Sequence, residues 1–105
     1  MKFYIVLVTT KDKQEALKLT DLVLKQGFAA CVNIIPTIES HYWWEGKIIN
    51  DTESLLIIKT GEPVVDQLIE LIKENHSYSV PEIIALPIKK GNQDYLDWIE
   101  KELTI

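Results

Sequence analysis

The side chains that could bind a soft metal ion are few in this chain. The sequence contains one cysteine, Cys31, and two histidines, His41 and His76. Thiolate and imidazole are ligands that suit copper. Cys31 opens a predicted strand, whereas His76 ends a predicted helix that runs to the opposite end of the sheet. At ~3.3 Å per strand residue the two should lie more than about 10 Å apart, so one subunit cannot bring both to one metal ion.

Each of these residues also has a simpler interpretation. Cys31 is flanked by apolar residues, which is typical of an inert, buried thiol, and it has no evident basic partner. An imidazole at the C-terminus of a helix, such as His76, is favoured by the helix dipole without any metal. His41 is expected in solvent. Asp51 and Glu53 could hold a hard cation, but they lack the spacing of a calcium loop and are expected on a solvated face.

The composition argues against several classes of function. The net charge is −5, and all 11 basic residues are lysines. Arginine supplies the planar fork that holds phosphate and reads guanine, so we expect no nucleic-acid binding. Acylphosphatases share the predicted strand order but need an arginine for phosphate. The glycines are scattered singly without a phosphate loop, and the serines lack a nucleophile-elbow context. We therefore predict that the protein is not an enzyme.

The single cysteine permits no intrachain disulfide, which fits a reducing cytoplasm. The apolar run at residues 3–8 is too short for a signal peptide and is followed by charged residues rather than a cleavage site. No stretch approaches the roughly 20 apolar residues that span a bilayer. We expect a cytoplasmic protein that makes no membrane contact.

Hydrophobic periodicity predicts one α+β domain over residues 1–105. Strands are predicted at 3–9, 28–44, 48–60 and 81–88, and helices at 11–26, 62–75 and 92–103. With right-handed crossovers, the order βαββαβ gives a ferredoxin-like antiparallel sheet with two helices on one face and a further C-terminal helix. The second and fourth strands should be the edges, and Pro36 should mark a bulge or bend. Gly27 should end the first helix, and Gly46 should allow the hairpin turn. Apolar stripes at spacings of three and four residues should bury one side of each of the first two helices. The last helix is expected to bury Tyr95, Trp98 and Ile99.

The β2–β3 hairpin is predicted to be longer than the sheet that it joins, because typical strands have about 5–6 residues. Its overhanging part carries Tyr42, Trp43 and Trp44, and an isolated two-stranded ribbon is marginally stable in water. We therefore expect these aromatic residues to contact other copies of the chain. The alternative is that both tryptophans fold back onto their own core.

Five blocks of the sequence form a series that spans nearly the whole chain. They are residues 29–36 (AACVNIIP), 42–48 (YWWEGKI), 56–60 (LIIKT), 76–83 (HSYSVPEI) and 95–98 (YLDW). In order and spacing this series resembles the motifs of the divalent-cation tolerance family (CutA). The resemblance implies a ferredoxin-like subunit in a tight homotrimer, with extended strands paired between neighbours. It also implies a part in tolerance of divalent metals, copper above all, and an assembly similar to that of the PII signalling proteins. No established catalytic reaction comes with it.

The resemblance also indicates where a metal ligand would lie. In some members, copper ligation is attributed to a cysteine late in the first strand and to adjacent histidines at the end of the second helix. Those positions are Val8 and Asn75-His76 here, and Ser77 replaces the usual following proline. His76 is therefore the one ligand that the resemblance implies, for Cu(II) or another divalent cation. A single imidazole makes a weak, exchangeable site.

Lys59, Tyr78 and Glu82 also fall within these blocks. Lys59 ends the third strand at the opposite end of its own subunit from Tyr78 and Glu82, so only neighbouring subunits could bring the three together in a polar cleft. The alternative is a purely structural ion pair. The leading functional hypothesis is a homotrimer of metal homeostasis. The others are a PII-like trimer that binds a small ligand or partner in its clefts, and an assembly core for other proteins.

Overall fold

The computed structural model describes residues 1–104 and contains a single four-stranded antiparallel sheet in that range. The strand order is β2-β3-β1-β4, so β2 and β4 are the edges. This confirms the predicted ferredoxin-like α+β fold with its long hairpin and C-terminal helix. The elements are β1 (Phe3–Thr10), α1 (Lys13–Lys25), β2 (Cys31–Trp44), β3 (Lys47–Gly61), α2 (Glu62–Asn75), β4 (Ile83–Ile88) and α3 (Gln93–Glu102).

Local chemistry explains where α1 begins and ends. The Asp12 side chain accepts a hydrogen bond from the Glu15 backbone N–H at 2.9 Å, so the helix starts at Lys13 rather than at the predicted residue 11. Gly27 follows the helix with φ of +73°, a conformation that favours glycine, as predicted. The bounds of α2 agree with the prediction at both ends.

The main core lies between α1, α2 and one face of the sheet. Val6 and Val8 of β1 and Leu56 and Ile58 of β3 point toward the helices and are fully buried. The helices bury stripes spaced at three and four residues against them, namely Ala16, Leu19 and Val23 of α1 and Val65, Leu68 and Ile72 of α2. This stripe spacing is what the sequence periodicity predicts.

The opposite face of the sheet is apolar, and α3 packs at one end of it, near Phe3 of β1 and Cys31 of β2. Because side chains alternate along a strand, the residues between the buried positions share this side. Ile84 of the edge strand β4, which pairs with Leu7 of β1, is 49% exposed. We call this surface the open face; it comprises Ile5, Leu7, Ile35, Leu55, Ile57, Ile84 and Leu86.

The β2–β3 hairpin extends well beyond the sheet. The last residue pair between β1 and β3 is Thr10 with Ser54, whereas β2 and β3 continue together to Trp44 and Lys47. We call residues 38–53 the arm. It ends in a two-residue turn in which Glu45 and Gly46 have φ of 51° and 78°, as a type I′ hairpin turn requires. The molecule is therefore elongated, with extents of 44 × 26 × 21 Å.

The arm is exposed and does not fold back onto the domain. The Trp43 side chain is 72% exposed, and Trp44 and Ile48 are also exposed. The alternative in which both tryptophans cover their own core is therefore wrong for this chain. At the base of the arm the register shifts between Ile35 and Ile38, which confirms the irregularity predicted at Pro36.

The prediction that α3 buries three side chains is wrong for two of them. Ile99 is fully buried, whereas Tyr95 and Trp98 are 41% and 40% exposed and stack on each other at 5.5 Å between ring centroids. The helix meets a small satellite core through Leu96, Ile99 and Leu103, which are spaced three and four residues apart. Tyr95 and Trp98 lie on the flank of that stripe, so they stay at the surface.

Candidate functional site

The turn between α2 and β4 encloses the imidazole of His76. The side chain is completely buried. Its Nε2 lies 2.7 Å from the carbonyl oxygen of Thr9, and the backbone N–H of Tyr78 donates to its Nδ1 at 3.0 Å. A carbonyl can only accept and an N–H can only donate, so Nε2 carries the proton and Nδ1 is the acceptor. The imidazole is neutral, and both ring nitrogens are already used within the chain.

Glu15 of α1 holds the same turn from the other side. Its carboxylate accepts hydrogen bonds from the backbone N–H of Ser77 at 2.8 Å, the Ser77 hydroxyl at 3.0 Å and the backbone N–H of Lys11 at 3.2 Å. Burial by itself raises the pKa of Glu15, but these hydrogen bonds outweigh it and hold the pKa below its usual value. The buried carboxylate therefore fixes the segment that carries His76.

Cys31 lies at the end of the sheet opposite His76, on the same side of the sheet as the open face. The pairing of β2 with β3 places it directly opposite Lys59, whose Nζ is 3.8 Å from the Cys31 sulfur and also donates to Asn33. The thiol is only half-buried. The thiol is therefore less buried than expected, and cross-strand register supplies a basic partner, Lys59, that the linear sequence does not reveal. Burial and the nearby thiol raise the pKa of Tyr95.

Cys31 and His76 belong to separate parts of the molecule. Cys31 is level with Lys59 and Ile5, whereas His76 contacts Thr9, which is four residues further along β1. At ~3.3 Å per residue, this is a separation of about 13 Å along the strand. Within one chain, the two residues do not share a site.

A cavity of about 490 Å³ lies between the arm and the segment after His76. Its walls combine aromatic rings with carboxylates. We call it the acidic pocket; the lining residues that define it are Tyr42, Trp44, Asp51, Glu53, Tyr78 and Glu82.

Glu53 is the central polar group of the acidic pocket. It is only 6% exposed, and its Oε2 accepts a hydrogen bond from the Tyr78 hydroxyl at 2.7 Å. Burial, reinforced by Glu53, raises the pKa of the Tyr78 hydroxyl. Burial and the negative charge of Glu53 also raise the pKa of Glu82. The expectation that Glu53 lies on a solvated face is wrong, since the segment at residues 78–82 packs over this part of β3.

The structure brings only part of the expected polar cleft together in one chain. Tyr78 and Glu82 line the acidic pocket, whereas Lys59 lies six residues from Glu53 along β3, or about 20 Å away. Val8 is buried in the core, and Asn75 donates to the Leu71 carbonyl within its own helix. Tyr42 and Trp44 line the pocket as well, while Trp43 is exposed on the arm.

Sequence reasoning missed two buried carboxylates. Glu15 stands three residues after the helix-capping Asp12, the position from which an acidic side chain reaches back to free N–H groups, so this signal was available. Glu53 lies on the same side of β3 as Leu55 and Ile57. Its contact with Tyr78 spans 25 residues, so no local pattern predicts it. Within residues 1–104, no cluster of three or more His, Cys, Asp or Glu side chains has the geometry to hold a metal ion.

These features define a class of protein: a ferredoxin-like α+β domain with an overhanging hairpin and an acidic pocket beside that hairpin. A family model described as CutA1 divalent ion tolerance protein matches residues 4–102. The chain belongs to this family, as its motifs predicted.

Comparisons with individual relatives, by sequence and by structure, agree with this family membership. "Protein CutA 1, chloroplastic" of Oryza sativa subsp. japonica is 53% identical over 96 residues, which are 91% of this chain and 54% of that protein. The chain thus spans about half the length of that relative. The divalent-cation tolerance protein CutA of Thermus thermophilus is 41% identical over 92% of this chain and 94% of its own. The crystal structure of CutA1 from Oryza sativa superposes with a TM-score of 0.95 at 49% identity, covering 99% of this chain and 95% of that one.

Proposed function

We propose that this chain acts as a homotrimer in the tolerance of divalent metal ions, copper among them, without catalysing a reaction. Family membership supports the role in divalent-ion tolerance. The trimer is supported above all by one observation, which is that the arm and the open face present apolar side chains with no cover in the described part of the chain. Large contiguous apolar surfaces on soluble proteins mark interaction sites.

The distribution of charge on the open side supports a head-to-tail contact between copies. Lys59 stands at one end of this surface and the carboxylates of Glu53 and Glu82 at the other, with apolar residues between them. A contact that joins two different patches of the same chain closes into a ring when its rotation permits. In such a ring Lys59 of one copy approaches Tyr78 and Glu82 of the next, while Tyr42, Trp43 and Trp44 of the arm contact a neighbour.

The oligomeric state tests this proposal directly. We expect sedimentation equilibrium at micromolar concentration to give three times the chain mass of 12.1 kDa. The substitution Trp43→Lys in the arm should shift the distribution of oligomeric states toward monomer. The change removes an apolar contact and leaves the domain core untouched. Leu17→Lys, at an exposed position on α1, is the matched control. A wild-type protein that sediments as a monomer would contradict the proposal.

The metal-binding part of the proposal concerns His76. As the structure stands, this imidazole does not fit a resident metal, because Nε2 donates to Thr9 and Nδ1 accepts from Tyr78. A divalent ion that binds there must first displace the Tyr78 N–H, so we expect weak, exchangeable binding of Cu(II). Calorimetric titration of Cu(II) into wild type, His76→Ala and His41→Ala tests this. Equal heats from all three proteins would show that neither histidine binds Cu(II).

A second candidate function is a PII-like signalling or scaffold trimer that binds a small ligand in clefts between subunits. The acidic pocket is the observation that favours it, because its volume of about 490 Å³ is in the range of small-ligand sites. In this proposal Lys59 of a neighbouring copy completes the cleft beside Tyr78 and Glu82. A double-mutant cycle of Lys59→Met and Glu82→Gln on trimer dissociation tests the contact. Additive effects would show that the two side chains do not meet.

We further propose that the protein acts in the cytoplasm. Among residues 1–104, no helix combines the length and the apolar character needed to cross a membrane. The single cysteine fits a reducing compartment, whereas the rice relative is named as chloroplastic. Fractionation of cells that express the native protein, with detection by antibody, distinguishes the compartments.

A further inference from the structure

The two strands of the hairpin differ in length by one residue between their fixed ends. Ile35 pairs with Leu55 inside the sheet, and Trp44 pairs with Lys47 beside the turn. Between these two pairs β2 takes nine residue steps, whereas β3 takes eight. The second strand therefore has one residue more than the third can pair, and the structure places this surplus in the bulge at residues 36–37.

The side chain of Ser54 holds the bulge. Ser54 is the residue of β3 that faces the two bulged positions, and it is fully buried. Its hydroxyl donates to the carbonyl oxygen of Pro36 at 2.6 Å. Proline has no N–H, so this part of β2 cannot complete the regular ladder of hydrogen bonds with β3. The hydroxyl supplies a hydrogen bond where the ladder is interrupted.

The turn offers a second place for the surplus residue. In the observed two-residue turn Glu45 has φ of 51°, a left-handed conformation that is unfavourable for a residue with a Cβ atom. A three-residue loop at residues 44–46 would need this conformation only at its last position, which is Gly46. Gly46 already has φ of 78°. The sequence of the turn therefore suits both loop lengths.

The place of the surplus residue decides which side chains of the arm continue the open face. Successive side chains of a strand point to opposite faces, so a shift of the pairing by one residue exchanges them. With the bulge in place, Tyr42 and Trp44 lie on the same side as Asp51 and line the acidic pocket. With the surplus in the turn, Trp43 would take that side instead. Within one chain the arm is largely exposed on both faces, so burial specifies its register only weakly.

We propose that Ser54 sets the register of the arm, because its hydroxyl keeps the surplus residue at the bulge. Without the hydroxyl, the surplus moves to the turn and the arm pairs one residue out of step, so that Ser40 lies opposite Asn50 instead of Asp51. The two registers belong to a single chain, so the proposal does not depend on the trimer. The register also determines which aromatic side chains the arm presents to the acidic pocket and to any neighbouring copy.

Fluorine NMR of full-length protein labelled with fluorotryptophan tests the proposal. Trp43 and Trp44 report on the arm, whereas Trp98 of α3 is an internal reference. Ser54→Ala should give the two arm tryptophans a second signal, with a share at least about fivefold above any in wild type, since one net hydrogen bond changes an equilibrium by about this factor. The reference tryptophan should keep one signal. A single set of signals in Ser54→Ala would overturn the proposal.

Cross-strand nuclear Overhauser effects identify the second state. The shifted register predicts that the backbone protons of Ser40 lie directly opposite those of Asn50, whereas the observed register has Asp51 there. If the second set of signals in Ser54→Ala retains the contacts of the observed register, the arm has not shifted and the proposal is wrong.

Thr60→Val is the matched control. Thr60 is also a fully buried residue of β3, and its hydroxyl donates to the carbonyl oxygen of Phe28 at 2.6 Å, at the other end of the strand. This variant loses the same kind of hydrogen bond and should give the arm tryptophans no second signal. A second signal of the same size in Thr60→Val would show a general loosening of the sheet and would refute the role of Ser54.

Two substitutions in the exposed turn act on the same equilibrium from its other end. Glu45→Gly removes the cost of positive φ in the observed turn and should reduce the second signal of Ser54→Ala. Glu45→Val places a β-branched side chain in a conformation that it strongly disfavours and should increase the second signal. Effects in the same direction, or no effect of either change, would show that the surplus residue does not move between the bulge and the turn, and the proposal would fail.

Discussion

The hydrogen bonds between Glu15 and Ser77 should contribute measurably to the free energy of unfolding. Ser77→Ala deletes the hydroxyl that donates to Glu15 at 3.0 Å but leaves the backbone N–H bond at 2.8 Å in place. A net hydrogen bond is worth about 1 kcal/mol, so we expect a loss of this size in the free energy of unfolding. Glu15→Gln should cost about 2 kcal/mol, since the amide cannot accept from all three donors and lacks the charge.

Urea unfolding at pH 7 and at one fixed chain concentration measures both losses. With a denaturant slope of about 1.5 kcal/mol per molar, Ser77→Ala should lower the midpoint by about 0.7 M. Glu70→Gln, an exposed acidic position on α2, is the control for loss of charge alone. Midpoints for Ser77→Ala and Glu15→Gln equal to that of wild type would refute the view that Glu15 holds the turn.

The effect of Glu15→Gln should depend on pH in one direction. The pKa of Glu15 in the folded protein lies below its ordinary value of 4.5. Its carboxylate therefore contributes stability that is fully present above the unfolded pKa and is lost as the pH falls through the folded pKa. We expect the gap between wild type and Glu15→Gln to be constant from pH 7 to about pH 5 and to shrink below that. A gap that widens on acidification would contradict the assignment.

Three further substitutions test other parts of the structure. Tyr78→Phe should cost about 1–3 kcal/mol in urea unfolding, because it leaves the buried Glu53 without its donor; an unchanged midpoint would count against that bond. Gly46→Ala should destabilise the hairpin turn by about 1 kcal/mol through its φ of +78° alone, since the added methyl meets nothing within 4 Å. Leu68→Ala should cost about 2–5 kcal/mol, because the side chain is fully buried, and a smaller loss would indicate that the core collapses around the cavity.

The sequence predicted the elements that local chemistry controls. Proline and glycine positions marked the bulge at Pro36, the stop after α1 at Gly27 and the turn at Gly46, and the structure agrees at each. Two apolar stripes at helical spacing predicted which sides of α1 and α2 are buried. These features depend on residues near one another in the chain, so a linear sequence contains them.

The candidate site depends on contacts that the linear sequence does not contain. Cys31 meets Lys59 only through the register of β2 with β3, and Tyr78 reaches Glu53 across 25 residues. The two nitrogens of His76 are occupied by backbone groups of Thr9 and Tyr78, which no side-chain motif reveals. Sequence spacing therefore pointed to the correct segment for His76 but not to its protonation state or its availability to a metal.

The arm also has a consequence for how the chain folds. Its strands are joined by two residues, so its pairs close locally, whereas Ile5 pairs with Leu86 from the other end of the chain. Local pairs form sooner than distant ones, so we expect the ribbon to exist before β4 docks. Within residues 1–104 neither border of the arm pairs with a further strand, so both present free N–H and C=O groups to any passing strand. Refolding at high concentration should therefore divide between productive assembly and aggregation, and the dilution at which chains are refolded should set the yield.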